Sequence, residues 1–183
     1  MDTLTWKLPL QEAHFHKSDL LSVSKSALIN PAFPFIAAPL AEFETFKNHL
    51  QSEHTDDQLN CNRDNTCFFF GTCESIHADV PSLSFRLGDG DTAKYFQIPS
   101  SAFLFEQLDG STELPICYLG LVGQNFTTSD QKLETYWILG DIFIQNFYTI
   151  FDADGAHPRV GLTLETDSLG LILDTVETAP DSG

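Results

Sequence analysis

Cations are scarce in this chain. It holds 9 Lys+Arg against 26 Asp+Glu in 183 residues, a net charge of -17. A surface so poor in positive charge repels phosphate backbones and anionic lipid, which excludes nucleic-acid and membrane-surface binding. It suits an acidic compartment, or partners that are cationic or neutral. Methionine occurs once, at position 1. No run of about 18 apolar residues occurs, so no membrane insertion is expected. Residues 1–20 lack a basic start followed by an apolar run of about 7–15 residues, so no signal peptide is expected. There are no repeats, no Ser/His/Asp triad or nucleophile elbow, and no phosphate-binding glycine loop, so no cofactor is expected. Cysteine is limited to Cys61, Cys67, Cys73 and Cys117. An even number fits two disulfides, and spacing alone does not choose the pairing. The intervals of six are too wide for a zinc knuckle, whose ligands sit about two to four residues apart. Disulfides imply an oxidising compartment, favouring the secretory or endolysosomal lumen. That conflicts with the missing leader: either Met1 is not the native start or the cysteines stay reduced.

Apolar residues, by contrast, are plentiful. They make up 42% of the chain, and Phe alone occurs 16 times. That excludes a disordered chain and leaves enough material for one domain, or at most two small ones. It also demands a large buried surface, or a partner to cover one.

The patterning is mostly that of strands. Thr5–Leu10 alternates, and His14-Phe15-His16 places both imidazoles on one strand face. With no third ligand nearby, the pair is read as solvent-facing and no metal site is assigned. Ser26–Ile29 is a short buried strand, and residues 30–39 hold three prolines that no helix accommodates. Leu40–Leu50 is an amphipathic helix with Leu40, Phe43, Phe46, Lys47 and Leu50 on one face, preceded by Pro39. Residues 51–66 form a polar surface loop, and Cys67–Phe70 begins a strand. Leu83–Leu87 and Lys94–Ile98 are a hairpin joined by Gly88-Asp89-Gly90-Asp91. Ala102–Phe105 and Ile116–Leu119 are further strands, separated by the loop Gln107–Pro115. Asn125-Phe126-Thr127 is a sequon, usable for glycosylation only on the secretory route. Tyr136–Leu139 is a buried strand, Ile142–Phe147 a short helix, and Tyr148–Asp152 a strand. Asp154-Gly155 turns the chain so that Arg159–Leu164 pairs back. Many short strands with few helices make a mainly β fold, antiparallel sheets with short peripheral helices. Composition divides the chain into a lobe, 1–165, and an acidic tail, 166–183, flexible or docked on a partner.

Trp137-Ile138-Leu139-Gly140-Asp141-Ile142-Phe143-Ile144, then Tyr148–Asp152 and Arg159-Val160-Gly161-Leu162, resembles the C-terminal end of pepsin-like (A1 family) aspartic proteases. Val80–Phe85 and the run to Phe103 are similar to the family's next strand and its sequel. The resemblance covers Trp6 to about Thr163, essentially one lobe. It implies a Cys73–Cys117 disulfide, with Cys61 and Cys67 pairing in an extra loop. It also implies that Ile138, Leu139, Gly140 and Asp141 form the structure behind the catalytic loop, Asp141 being a helix-start acid favoured by the helix dipole.

The family's catalytic segment reads as two apolar residues, Asp-Thr/Ser-Gly, more apolar residues and a proline. Here Leu28-Ile29 precedes Asn30-Pro31-Ala32, with Pro39 in place. The resemblance puts Asn30 at the aspartate, Pro31 at the hydroxyl residue and Ala32 at the glycine. The chemistry needs two carboxylates sharing one proton, one activating water and the other protonating the substrate carbonyl. An Asn amide cannot take that proton, Pro31 offers neither hydroxyl nor N–H, and Ala32 fills space that glycine leaves open. No aspartic-protease catalysis is therefore expected from this lobe. Two tail segments partly spell the triplet. Val176 replaces the glycine in Asp174-Thr175-Val176, and Asp181-Ser182-Gly183 follows no buried strand.

A single pepsin-like lobe exposes a cleft wall and a sheet edge. Phe33 and Phe35, beside Asn30, would make that wall apolar and are candidate interface residues; the alternative is that they point into the lobe's own core. Two functions remain. One is a catalytically inactive lobe serving as a structural subunit or binding module, docked on an N-terminal pepsin-like lobe or another protein. The other is the C-terminal part of a two-chain aspartic endopeptidase.

Overall fold

The computed structural model describes residues 6–21, 23–53, 59–77, 80–127, 133–154 and 158–175. A long strand β1 (Lys7–Phe15) turns back into β2 (Ser18–Asp19) and is followed by β3 (Lys25–Ile29) and β4 (Ile36–Ala38). Helix α1 (Leu40–Glu53) comes next, then β5 (Leu59–Cys61), β6 (Cys67–Phe70) and a single turn, α2 (Cys73–Ile76). The hairpin is β7 (Leu83–Leu87) and β8 (Lys94–Ile98). A turn of helix, α3 (Ser100–Phe103), leads to β9 (Leu104–Leu108), β10 (Pro115–Leu119) and β11 (Leu121–Gly123). A ribbon of β12 (Phe126–Thr127) and β13 (Leu133–Glu134) precedes β14 (Trp137–Leu139). The last elements are α4 (Asp141–Ile144), β15 (Tyr148–Asp152), β16 (Arg159–Thr163) and β17 (Leu171–Leu173).

The main sheet is ordered β11-β4-β14-β3-β1-β7-β8-β17, with β2 beside β1. A second sheet is ordered β5-β6-β10-β9, and β15-β16 stands apart as a two-stranded ribbon. β14 runs parallel to β3 and antiparallel to β4. It therefore lies between two strands that are consecutive in the chain. The loop joining β3 to β4 has to cross the end of β14, and that crossing positions the site.

Burial explains these elements. Phe43, Phe46 and Leu50 of α1 are fully buried, as their spacing requires. β4 and β14 are buried along their whole length. One face meets the principal core and the other a small cluster of Ala37, Val122 and Ile138. Among the described residues nine Phe are buried, many in edge-to-face contact: Phe15–Phe46 at 4.6 Å, Phe85–Trp137 at 5.4 Å and Phe96–Phe147 at 5.3 Å. Most of the Phe surplus is thus core. Both disulfides are formed, Cys61–Cys67 across the β5–β6 hairpin and Cys73–Cys117 from α2 to β10.

Several expectations are corrected. His16 leaves the strand at φ +55° in the turn after β1, so it does not share a face with His14. The turn residue competes with the alternation there, and the turn wins. Ala102 lies in α3, capped after Pro99, and the strand begins only at Leu104. The loop 51–66 is interrupted by β5, which pairs with β6. The helix after Gly140 is one turn, ending at Ile144. Leu171–Leu173, placed outside the lobe by composition, adds an edge strand to β8. The next residue, Asp174, pairs with Lys94. Thr5, Gly155, Val176 and residues 181–183 lie outside the described residues.

Glu12 anchors three strands of the main sheet. Its carboxylate accepts from Tyr95 at 2.5 Å and Arg86 at 2.8 Å, and lies 2.9 Å from His14 Nε2. The bonds from Tyr95 and His14, with Arg86 beside them, hold its carboxyl down to about 2. Burial, reinforced by Glu12, pushes Tyr95 up to about 12. A depressed carboxyl stabilises the fold above the ordinary glutamate range and loses that contribution as pH falls toward about 2. Glu12→Gln should lower stability to urea by about 1–2 kcal/mol at neutral pH, after allowance for solvent screening at this partly exposed site. The gap to wild type should narrow steadily as the pH falls toward 2.

Candidate functional site

Residues 30–35 carry the chain from β3 over the end of β14 to β4. Asn30 N–H donates to Leu139 O at 3.1 Å, tying the loop's entry to β14. Its side-chain Oδ1 accepts the Ala32 N–H at 3.1 Å, and its carbonyl accepts the Phe33 N–H at 3.1 Å. Asn30 thus closes a tight local turn, a geometry Asn side chains favour. Pro31 and Ala32 are exposed at the tip, while Phe33 and Phe35 are half-buried.

Gly140 makes the crossing possible. A Cβ there would stand 2.2 Å from both Phe33 O and Phe35 O. Those are backbone atoms, which cannot move aside without unseating the loop. Just beyond Gly140, Asp141 N–H donates to Phe33 O at 2.7 Å and Ile142 N–H to Pro34 O at 3.3 Å. The start of α4 therefore grips the loop through its first N–H groups, which have no partner within the helix. On the other side, Ile36 N–H donates to Gly120 O at 2.8 Å. A Cβ on Gly120 would meet Ile142 Cδ1 at 2.2 Å. The sequence reading missed Gly120, although Leu119-Gly120 repeats the apolar-Gly pattern of Leu139-Gly140.

Ile138 and Leu139 are buried in β14, Gly140 lies under the loop, and Asp141 opens α4. The Asp141 carboxylate is engaged by Gln145 Nε2 at 2.7 Å. Phe33 and Phe35 pack against the small cluster beside β4 and contact each other edge-to-face at 6.3 Å. Asn125 is exposed, and its Oδ1 accepts the Leu40 N–H at 3.2 Å, satisfying a free donor at the start of α1.

Residues 30–39 contain neither Asp nor Glu. Asp174 follows β17, which stands four strands from β3 in the order of the main sheet. Among the described residues, no group of three His, Cys, Asp or Glu side chains could hold a metal ion. Among them, too, no helix is long and apolar enough to cross a membrane.

A strand threaded between two consecutive strands, with glycine beneath the loop that joins them, is the architecture of a pepsin-like lobe. The chain belongs to the eukaryotic aspartyl protease family, whose model matches residues 1–164. It is 25% identical to Pepsin-3 of Oryctolagus cuniculus over 140 residues, 76% of this chain and 30% of that protein. It is 34% identical to Pepsin A of Gallus gallus over 92 residues, 50% of this chain and 21% of that protein. Cathepsin D of Canis lupus familiaris is 32% identical over 94 residues, 51% of this chain and 20% of its own. The chain thus spans less than a third of the length of these relatives. In three dimensions it resembles Basic 7S globulin from soybean, with a TM-score of 0.63 at 14% identity, covering 89% of this chain and 39% of that one.

Gly140→Ala should destabilise the lobe by about 3–5 kcal/mol in urea unfolding, or abolish folding, because backbone must give way. Gly161→Ala is the control. Its Cβ would meet only Ile150 side-chain carbons, at 3.6 Å or more, so its effect should stay within about 1 kcal/mol.

Proposed function

We propose that this chain is a pepsin-like lobe without a catalytic aspartate, working as a structural subunit or protein-binding module that docks a second lobe or another protein. The observation that carries the reading is Asn30. It holds the first position of the loop gripped by Gly140 and Asp141, its amide oxygen is engaged by Ala32 N–H, and no carboxylate lies in residues 30–39. Water activation by a shared proton needs a carboxylate at that place, and an amide does not ionise. The β15–β16 ribbon supports the docking half. Tyr148 and Ile150 are about half exposed on it, and Leu164 beyond it is 46% exposed, apolar area that a neighbouring protein would cover. Two formed disulfides favour an oxidising lumen as the site of action.

A second reading, the C-terminal part of a two-chain aspartic endopeptidase, rests on the family match and on the fraction of its relatives that the chain spans. It requires a working carboxylate from elsewhere. A peptidase assay at acid pH separates the two, with and without a transition-state-mimicking inhibitor of aspartic proteases. No inhibitor-sensitive turnover is expected. Asn30→Asp alone should restore none, because Pro31 and Ala32 still deny the loop its hydroxyl and glycine. Inhibitor-sensitive cleavage by the wild-type chain would sink the first reading.

A further inference from the structure

Asn125-Phe126-Thr127 is the single Asn-x-Ser/Thr sequon in the chain. Its asparagine follows β11, the strand at one end of the main sheet. The side chain is exposed, and its Oδ1 accepts the Leu40 N–H at 3.2 Å. Leu40 is the first residue of α1, and Pro39 before it has no side-chain acceptor to offer the helix's free donors. Asn125 thus supplies, from 85 residues away, the cap that the adjacent residue cannot. The same bond fixes the amide's orientation. A backbone N–H is met by the amide oxygen and not by its NH₂, so Nδ2 is left unengaged among the described residues.

Beside this amide lies an open pocket of about 360 Å³, lined among others by Lys25, Pro39, Leu40, Glu42, Thr135 and Asn125 itself. That is near the lower end of small-ligand sites, about 300–1,000 Å³, and suits one sugar ring rather than a longer ligand. Pro39 and Leu40 give it an apolar wall. Glu42 is 4% exposed, and Lys25 engages only its Oε1. Its Oε2 is buried with no hydrogen-bond partner among the described residues. A buried acceptor left unmet is costly, and the hydroxyls and acetamide N–H of a sugar are donors of the kind it lacks. We propose that Asn125 is a glycosylation site whose first sugar, an N-acetylhexosamine, seats in this pocket while Oδ1 goes on capping α1. Attachment is compatible with the cap because only Nδ2 reacts. Nδ2 loses one proton to solvent and bonds to C1 of the sugar. C1 gives up its bond to the diphosphate of a lipid-linked oligosaccharide, and the lipid diphosphate departs with the bonding pair. The glycan would also stand beside the open edge of β11 and obstruct pairing by a foreign strand. The proposal rests on the oxidising lumen that the two disulfides favour, and not on the loss of catalysis at Asn30.

The test is expression of the whole chain behind a cleavable secretion leader in eukaryotic cells. Peptide mass spectrometry is run on retained and secreted protein alike, with leader removal as the proof of entry into the lumen. Asn125 is expected to carry a glycan, and enzymatic release in heavy-oxygen water should leave labelled Asp at that position. Thr127→Ser should keep the glycan and Thr127→Ala should lose it. Melting temperatures read the pocket. Wild type made with synthesis of the lipid-linked donor blocked has the same sequence and no sugar. It should melt about 2–4 °C below the glycoprotein. Glycoprotein trimmed enzymatically to its first sugar should melt with the untrimmed form. Asn125→Ala loses sugar and cap together and should melt lowest. Unmodified Asn125 in leader-cleaved wild type would overturn the site. A glycan whose absence leaves the melting temperature unchanged would overturn the seat, as would trimmed protein melting with the sugar-free form. Peptidase activity is read apart from all of these, so failure of the glycan site leaves the non-catalytic reading standing.

Discussion

Two peptide carbonyls, those of Phe33 and Phe35, lie where the side chain of residue 140 would be if it had one. This backbone-on-backbone contact sets the lobe's functional end. It lets the 30–35 loop fold flat across the end of β14, and it aims the first N–H groups of α4 at the loop's carbonyls. Leu139 O receives Asn30 from one side, and Gly120 O receives Ile36 from the other. The loop is held at both ends and beneath its middle by main-chain bonds. Its path is therefore set chiefly by main-chain bonds, with the Asn30 side chain adding one local bond to the Ala32 N–H.

This support from the main chain reconciles the parts of the chain that look contradictory. The scaffold of a pepsin-like lobe is intact: threaded strand, supporting glycines and the disulfide from α2 to β10 are all in place. The loop the scaffold carries lacks a carboxylate. Aromatic rings begin beside it, at Phe35, and continue over Phe105 and Tyr118 on the second sheet.

Much of the frame is legible in the sequence because its rules are local. The 3.6-residue stripe of α1 and the alternation of β7 and β8 follow from burial on one face. The glycines of their turn, with φ of +111° at Gly88 and +51° at Gly90, adopt a conformation that other residues rarely do. The segment at Gly140 is legible through its family resemblance. What escapes is set by distant parts of the chain. Nothing near Leu171–Leu173 says that β8 has a free edge for it, and nothing near Ala102 says that Gly120 N–H will bond Phe103 O and end α3 there. His16 fails for a different reason, because a turn overrides alternation within a single residue. The row of rings on the second sheet shows only when β6, β9 and β10 are laid side by side, since Phe68, Phe105 and Tyr118 are far apart in sequence.

The main sheet also has a history written into its order. β1 pairs with β7, β3 with β14 and β8 with β17, so early and late segments are interleaved rather than stacked in sequence. β3, which leads directly to Asn30, gains its parallel neighbour only when residues 137–139 are available. The edge of β8 is covered later still, by residues 171–173. A chain emerging from the ribosome could form the β7–β8 hairpin early, but not the threaded loop. Sheets built from such remote partners fold slowly and leave strand edges open in the interval. The Cys73–Cys117 bond, once formed, would fasten α2 to β10 while the threading strand is still being made.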